Sequence, residues 1–65
     1  MTLGEKVKNL REQKNMTQAQ LAERLGVTQE YVSLMERGVK YPGLRLGVQL
    51  ARVLGTTAEQ LVARG

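Results

Sequence analysis

Three threonines in this chain are each followed, three residues on, by a glutamate or glutamine: Thr2-Leu3-Gly4-Glu5, Thr17-Gln18-Ala19-Gln20 and Thr57-Ala58-Glu59-Gln60. That spacing forms a capping box, in which the hydroxyl accepts from the third helical N–H while the longer side chain reaches back to the N–H of the cap. Repeated within 65 residues, it leaves room only for short helices. Thr28 marks a further start, with Gln29 and Glu30 in the first turn, where a carboxylate suits the helix dipole. Gly26, Gly38 and Gly55 each follow a periodic apolar segment at the point where a left-handed C-terminal cap is expected, so they read as stops. The predicted helices run from Leu3 to Lys14, Gln18 to Leu25, Gln29 to Arg37, Gly43 to Leu54 and Ala58 to Ala63, which makes the fold class all-α, a bundle of four to five short helices.

The core must be aliphatic, because Tyr31 and Tyr41 are the chain's two aromatic residues while hydrophobic residues make up 42%. Helical spacing groups Leu3, Val7 and Leu10 on the first segment, Leu21, Ala22 and Leu25 on the second, and Val32 with Met35 on the third. The fourth segment is the most apolar. Leu44, Val48, Leu50, Ala51, Val53 and Leu54 cover more than half its circumference and predict the central buried helix. Gly47 within it costs about 1 kcal/mol relative to alanine, so either a neighbouring helix approaches closely there or the helix is simply weaker. Pro42 forbids one continuous helix through the third and fourth segments. No repeat, linker or low-complexity run interrupts residues 1–65, which read as a single domain.

Cysteine and histidine are absent. Their absence removes disulfides, thiolate and imidazole catalysis and the common zinc sites, so neither a metal site nor a cofactor is expected. Aspartate is missing as well. An enzyme built on Ser33, the sole serine, with a lysine as base has no cleft to work in. Apolar stretches are far too short to span a bilayer, and Glu and Lys stand where a signal peptide needs an apolar run. No membrane association and a cytoplasmic location are therefore expected. The net charge of +4 favours an anionic partner, although moderately.

The stretch QAQLAERLGVTQEYVSLMER, residues 18–37, places two short helices around Gly26. Ala22, four residues before the glycine, permits close approach of the two helices; Gly26 supplies the positive φ of the turn; and Leu21, Leu25, Val27, Val32 and Met35 lock the crossing. This is a helix-turn-helix pattern. With LREQKNMTQAQLAERLGV, TQEYVSLMERG and the P-x-L…LARVLG of the fourth helix, nearly the whole chain resembles the phage repressor and Cro type of helix-turn-helix protein, also called the xenobiotic-response-element family. The resemblance implies a lambda-repressor-like bundle whose third helix enters the major groove of double-stranded DNA.

At about 100° per residue, turning Val32 and Met35 inward leaves Gln29, Glu30, Ser33, Leu34 and Arg37 on the outer face of the third helix. For base readout, Gln29 suits adenine, Glu30 accepts from cytosine N4, and Ser33 bonds either a base edge or a phosphate. Leu34 meets either a thymine methyl or a protein partner. The resemblance places phosphate contacts at Gln18, Thr28, Tyr31, Arg37, Lys40 and Tyr41; Tyr31 otherwise lies over the core edge. It also implies a structural ion pair between Arg11 and Glu36. The other lysines and arginines, Lys6 and Lys14 among them, read as solvated.

One module this small covers few base pairs, so the expected function is that of a regulator, repressor-like, that binds a pseudo-palindromic operator as a homodimer. The family's dimer surface, the C-terminal helix and nearby loops, would here involve some of Leu46, Leu50, Leu61 and Val62. The alternative is a protein-interaction module such as an antitoxin, or the DNA-binding fragment of a larger regulator, with a protein partner of its own.

Overall fold

Each helix begins where the chain can satisfy or expose its first open N–H groups, and in most of them a threonine does so. A computed structural model describes residues 1–62, in which the helices are α1 (Leu3–Gln13), α2 (Gln18–Leu25), α3 (Gln29–Glu36), α4 (Leu44–Leu54) and α5 (Ala58–Val62). Ala63, the expected end of the last helix, lies outside the described residues. At α1 the Glu5 N–H donates to Thr2 Oγ1 at 3.1 Å, and the Thr2 N–H donates to Glu5 Oε1 at 2.8 Å. The same reciprocal pair joins Thr17 and Gln20 at α2. Thr28 and Thr57 each accept from the N–H three residues on, at 3.1 Å. By contrast, α4 begins at Gly43 without a side-chain cap.

Gly26, Gly38 and Gly55 take φ of 73°, 82° and 73°, as helix stops require. The stop after α1 is Asn15, with φ 57°. There the Met16 N–H donates to Arg11 O and the Asn15 N–H to Glu12 O, the paired bonds of a left-handed C-terminal cap. Asparagine tolerates this conformation better than other residues with a Cβ, because its short amide can bond locally.

The helices enclose one core of Val7, Leu21, Ala22, Leu25, Val32, Met35, Leu50, Ala51, Leu54 and Leu61. Leu3, Leu10, Met16, Val27, Tyr31, Leu46 and Val53 close its edges. α2 packs on α3 and α4, while α1 lies across α3, α4 and α5. The crossing of α1 over α3 depends on Gly4, which is buried. A Cβ there would stand 2.6 Å from Met35 O and closer still to Glu36 O, so only glycine lets α1 rest on the carbonyl end of α3.

The fourth helix differs from its sequence reading. Leu50, Ala51 and Leu54 are buried, with Leu46 and Val53 packed beside them, but Leu44 is 85% exposed and Val48 lies on the exposed flank. On a helical wheel Leu44 and Val48 sit roughly 100° beyond the centre of the buried stripe, so they cannot share it with Leu46. Gly47 faces open space: a Cβ there would meet nothing within 4 Å, so no helix approaches closely at this position.

Candidate nucleic-acid interface

Two rows of contacts decide how α3 sits. Val32 and Met35 are fully sunk in the core, and Tyr31 packs half-buried on its edge. The opposite side of the helix is therefore turned away from the interior. Gln29, Glu30 and Arg37 are exposed on it, and Ser33 and Leu34 are half-buried. Thr28 caps the helix through the Tyr31 N–H, which leaves the side chains of the first turn projecting at its start.

The loop after α3 turns back on the helix. Val39 and Lys40 both donate their N–H to Leu34 O, at 2.9 and 3.3 Å. Arg37 at the end of α3 and Lys40 and Tyr41 in the loop are all exposed. Pro42, buried, anchors the far end of the loop.

Gln18, at the start of α2, is half-buried and does not stand alone. Its Nε2 donates to Glu36 Oε1 at 3.0 Å. Glu36 is held in turn by Arg11, through Nε to Oε2 at 2.7 Å and Nη2 to Oε1 at 3.1 Å, and Arg11 Nη1 donates to Met16 O at 2.7 Å. The side chains of Arg11 and Glu36 are only 10% and 4% exposed. Two fork-like bonds and a carbonyl satisfy the guanidinium, which is what allows such a pair to be buried. The hydrogen bond to Glu36 raises the Arg11 pKa above its ordinary value, with burial opposing it.

Of the sequence-selected residues, the structure gathers Gln29, Glu30, Ser33, Leu34 and Arg37 on one side of α3, and it joins Gln18 to Arg11 and Glu36. It corrects the expected copy-to-copy surface. Leu50 and Leu61 are buried in the chain's own core, and Leu46 packs against that core, so they have little or no surface to offer a partner. Val62 alone of the four stays open, at 57% exposure, together with Tyr41, Leu44 and Val48. Lys6, read as solvated, also has a partner: its Nζ donates to Gln60 O at 3.2 Å; Lys14 stays exposed, its ammonium near Gly55 at the end of α4.

Sequence reading missed Gly4 and the bond from Gln18 to Glu36. A glycine in the second position of a helix is a usable signal of close approach, but Thr2 and Glu5 on either side made it look like part of the cap. The Gln18 bond has no local signal, because its partner is 18 residues away. Among the described residues, no group of three or more histidines, cysteines, aspartates or glutamates could hold a metal ion, and no helix is long and apolar enough to cross a membrane.

A family profile described as helix-turn-helix matches residues 7–61. A helix-turn-helix-type transcriptional regulator of Archaeoglobus fulgidus is 38% identical over 56 residues, 86% of this chain and 79% of its own length. The immunity repressor protein of Bacillus phage phi105 is 32% identical in an alignment that covers 85% of this chain and 44% of the repressor. Among solved structures, SinR of Bacillus subtilis in complex with DNA superposes with a TM-score of 0.85 at 28% identity, over 92% of this chain and 97% of that one. The P22 c2 repressor bound to a synthetic operator gives 0.92 over 95% and 94% of the two chains, a likeness of fold at 24% identity. The same bundle also forms part of an enzyme. Hydroxypropylphosphonic acid epoxidase from S. wedmorenis matches at 37% identity and a TM-score of 0.85, over 94% of this chain but 32% of the epoxidase.

Proposed function

The chain belongs to the helix-turn-helix family of transcriptional regulators, and from that premise we propose that it is a sequence-specific DNA-binding regulator, repressor-like, that acts as a homodimer in the cytoplasm. Residues 1–65 act as one DNA-binding domain. The observation that carries the reading is the outward side of α3, where Gln29 and Glu30 are exposed while Val32 and Met35 anchor the helix from beneath. A helix held this way has a free side for the major groove, where a glutamine can pair with adenine and a carboxylate can accept from cytosine N4. Ser33 and Leu34 lie beside them for a base edge or a thymine methyl. Arg37 and Lys40 supply charge to the flanking phosphates, joined by Thr28, Tyr31, Tyr41 and, at the start of α2, Gln18. The work is binding, without a chemical step or a cofactor.

The second copy has a place to dock. Exposed Tyr41, Leu44 and Val62 line a groove of about 220 Å³ with Pro42 and Gly47, and Val48 is exposed one turn after Leu44 on α4. Docking there would have to set the two α3 helices about one helical turn, roughly 34 Å, apart for both to meet one face of the duplex. A protein partner other than a second copy is the competing reading of the same apolar side.

Selection from pooled duplexes in graded salt tests this. The purified chain should enrich a sequence with dyad symmetry, and log affinity should fall linearly with log salt. Enrichment of no sequence would refute DNA recognition; enrichment of a lone half-site would refute the homodimer.

A further inference from the structure

We propose that Glu36 is a positioning residue for DNA binding: through its bond to Gln18 it sets which end of the Gln18 amide faces a phosphate at the start of α2. The inference rests on the reading of α2 and α3 as a DNA-binding pair. Glu36 Oε2 accepts from Arg11 Nε, while Oε1 accepts from both Arg11 Nη2 and Gln18 Nε2. A carboxylate clasped by a guanidinium is ionised and has no proton to give, so it can only accept. Gln18 must therefore turn its nitrogen, and never its oxygen, toward Glu36. A free glutamine at a helix start flips and samples several rotamers, half of them presenting a carbonyl oxygen to an incoming phosphate, which would repel it.

The Gln18 nitrogen carries two hydrogens, and the bond to Glu36 uses one. The second has no bond among the described residues, on a half-buried side chain at the first position of α2. Thr17 already satisfies the Gln20 N–H, so the amide adds a donor next to those of Gln18 and Ala19. Because Glu36 closes α3 and Gln18 opens α2, one bond ties the phosphate-facing end of one helix to the helix that reads bases. Arg11 fixes Glu36 from α1 and neutralises it, so the buried carboxylate does not repel the DNA.

The test uses the duplex enriched by the full chain, with one methylphosphonate replacing one phosphate at a time. Failure to enrich any duplex would count against the DNA-binding reading and is distinct from the outcomes below. Wild type should lose about tenfold in affinity at the phosphate facing α2, the scale of one hydrogen bond to a charged group. Gln18→Met and Glu36→Gln should each shrink the loss at that phosphate severalfold and keep the losses at the others. A uniform weakening at every phosphate would make Glu36 merely structural and overturn the proposal. If Glu36→Gln does not fold, Arg11→Met combined with Glu36→Gln removes the charge from both partners and should give the same single-position change. The wild-type chain provides an independent reading by nuclear magnetic resonance: without DNA the Gln18 side-chain amide should be as ordered as the backbone. An amide as mobile as that of exposed Gln29 overturns the proposal whatever the variants do.

Discussion

The Cα of Gly4 lies directly against the carbonyl of Glu36, so α1 touches the end of α3 backbone to backbone. About two turns further along α1, Arg11 clasps the carboxylate of the same Glu36. Close approach and ion pair thus act on one junction, and together they hold the angle at which the outer side of α3 meets the solvent.

Replacing Gly4 by alanine should destabilise the chain by about 1–3 kcal/mol, because a methyl there must displace backbone that cannot move alone. Gly4 stands in the first turn of α1, where alanine brings less than the roughly 1 kcal/mol it gains in a helix interior. Gly47→Ala, with open space around it, should show that gain and melt higher. Thermal denaturation of the two variants checks the opposite signs.

Arg11→Ala or Glu36→Ala alone should cost about 3–5 kcal/mol, since each leaves a charge uncompensated in a nearly dry site. Replacing both by apolar residues of similar volume should recover most of the loss. Urea unfolding of the two single variants and the double variant measures the coupling; additive losses would mean that the two side chains do not act as a pair.

Leu50→Ala should lose about 2–5 kcal/mol of stability as a core cavity, whereas Leu44→Ser should stay within about 0.5 kcal/mol for the isolated copy. The Leu44 variant should instead weaken association of two copies. Sedimentation on an operator duplex reads this as a shift from two bound copies toward one.

The Thr2 backbone N–H and hydroxyl, in that order, hold the Glu5 carboxyl below its ordinary pKa. A lowered folded-state pKa means that this cap contributes in full above the unfolded value, about 4.3, and that the contribution is lost as pH falls through the folded one. Glu5→Gln keeps the geometry of the box, as Gln20 does at α2, and has no proton to gain. Melting curves from pH 7 to 3 should therefore fall less steeply on the acid side for this variant than for wild type.

Gln29→Ala or Glu30→Ala should relax preference at particular base pairs by about 1–3 kcal/mol, while Lys40→Ala should weaken all sequences alike and lower the salt slope by about one. Competition binding with single-base variants of the selected duplex separates these outcomes.

Helix starts and stops were legible in the sequence because they are local chemistry: Thr2, Thr17, Thr28 and Thr57 each satisfy an N–H only three residues away, and Gly26 supplies its own φ. So was the outward side of α3, since Val32 and Met35 admit only one way of facing the core. Partnership across helices was not legible from spacing. Gly4 and Gly47 look alike as single glycines inside helices, yet one lies under the backbone of α3 and the other faces open space. Likewise Leu44 and Leu50 are equally apolar on one helix, and only the direction in which α4 is pressed against α1, α2 and α5 decides which is buried. A chain's local hydrogen bonds depend on neighbours in sequence, whereas burial depends on which surfaces the packed helices bring together, and that is decided only when all of them are in place.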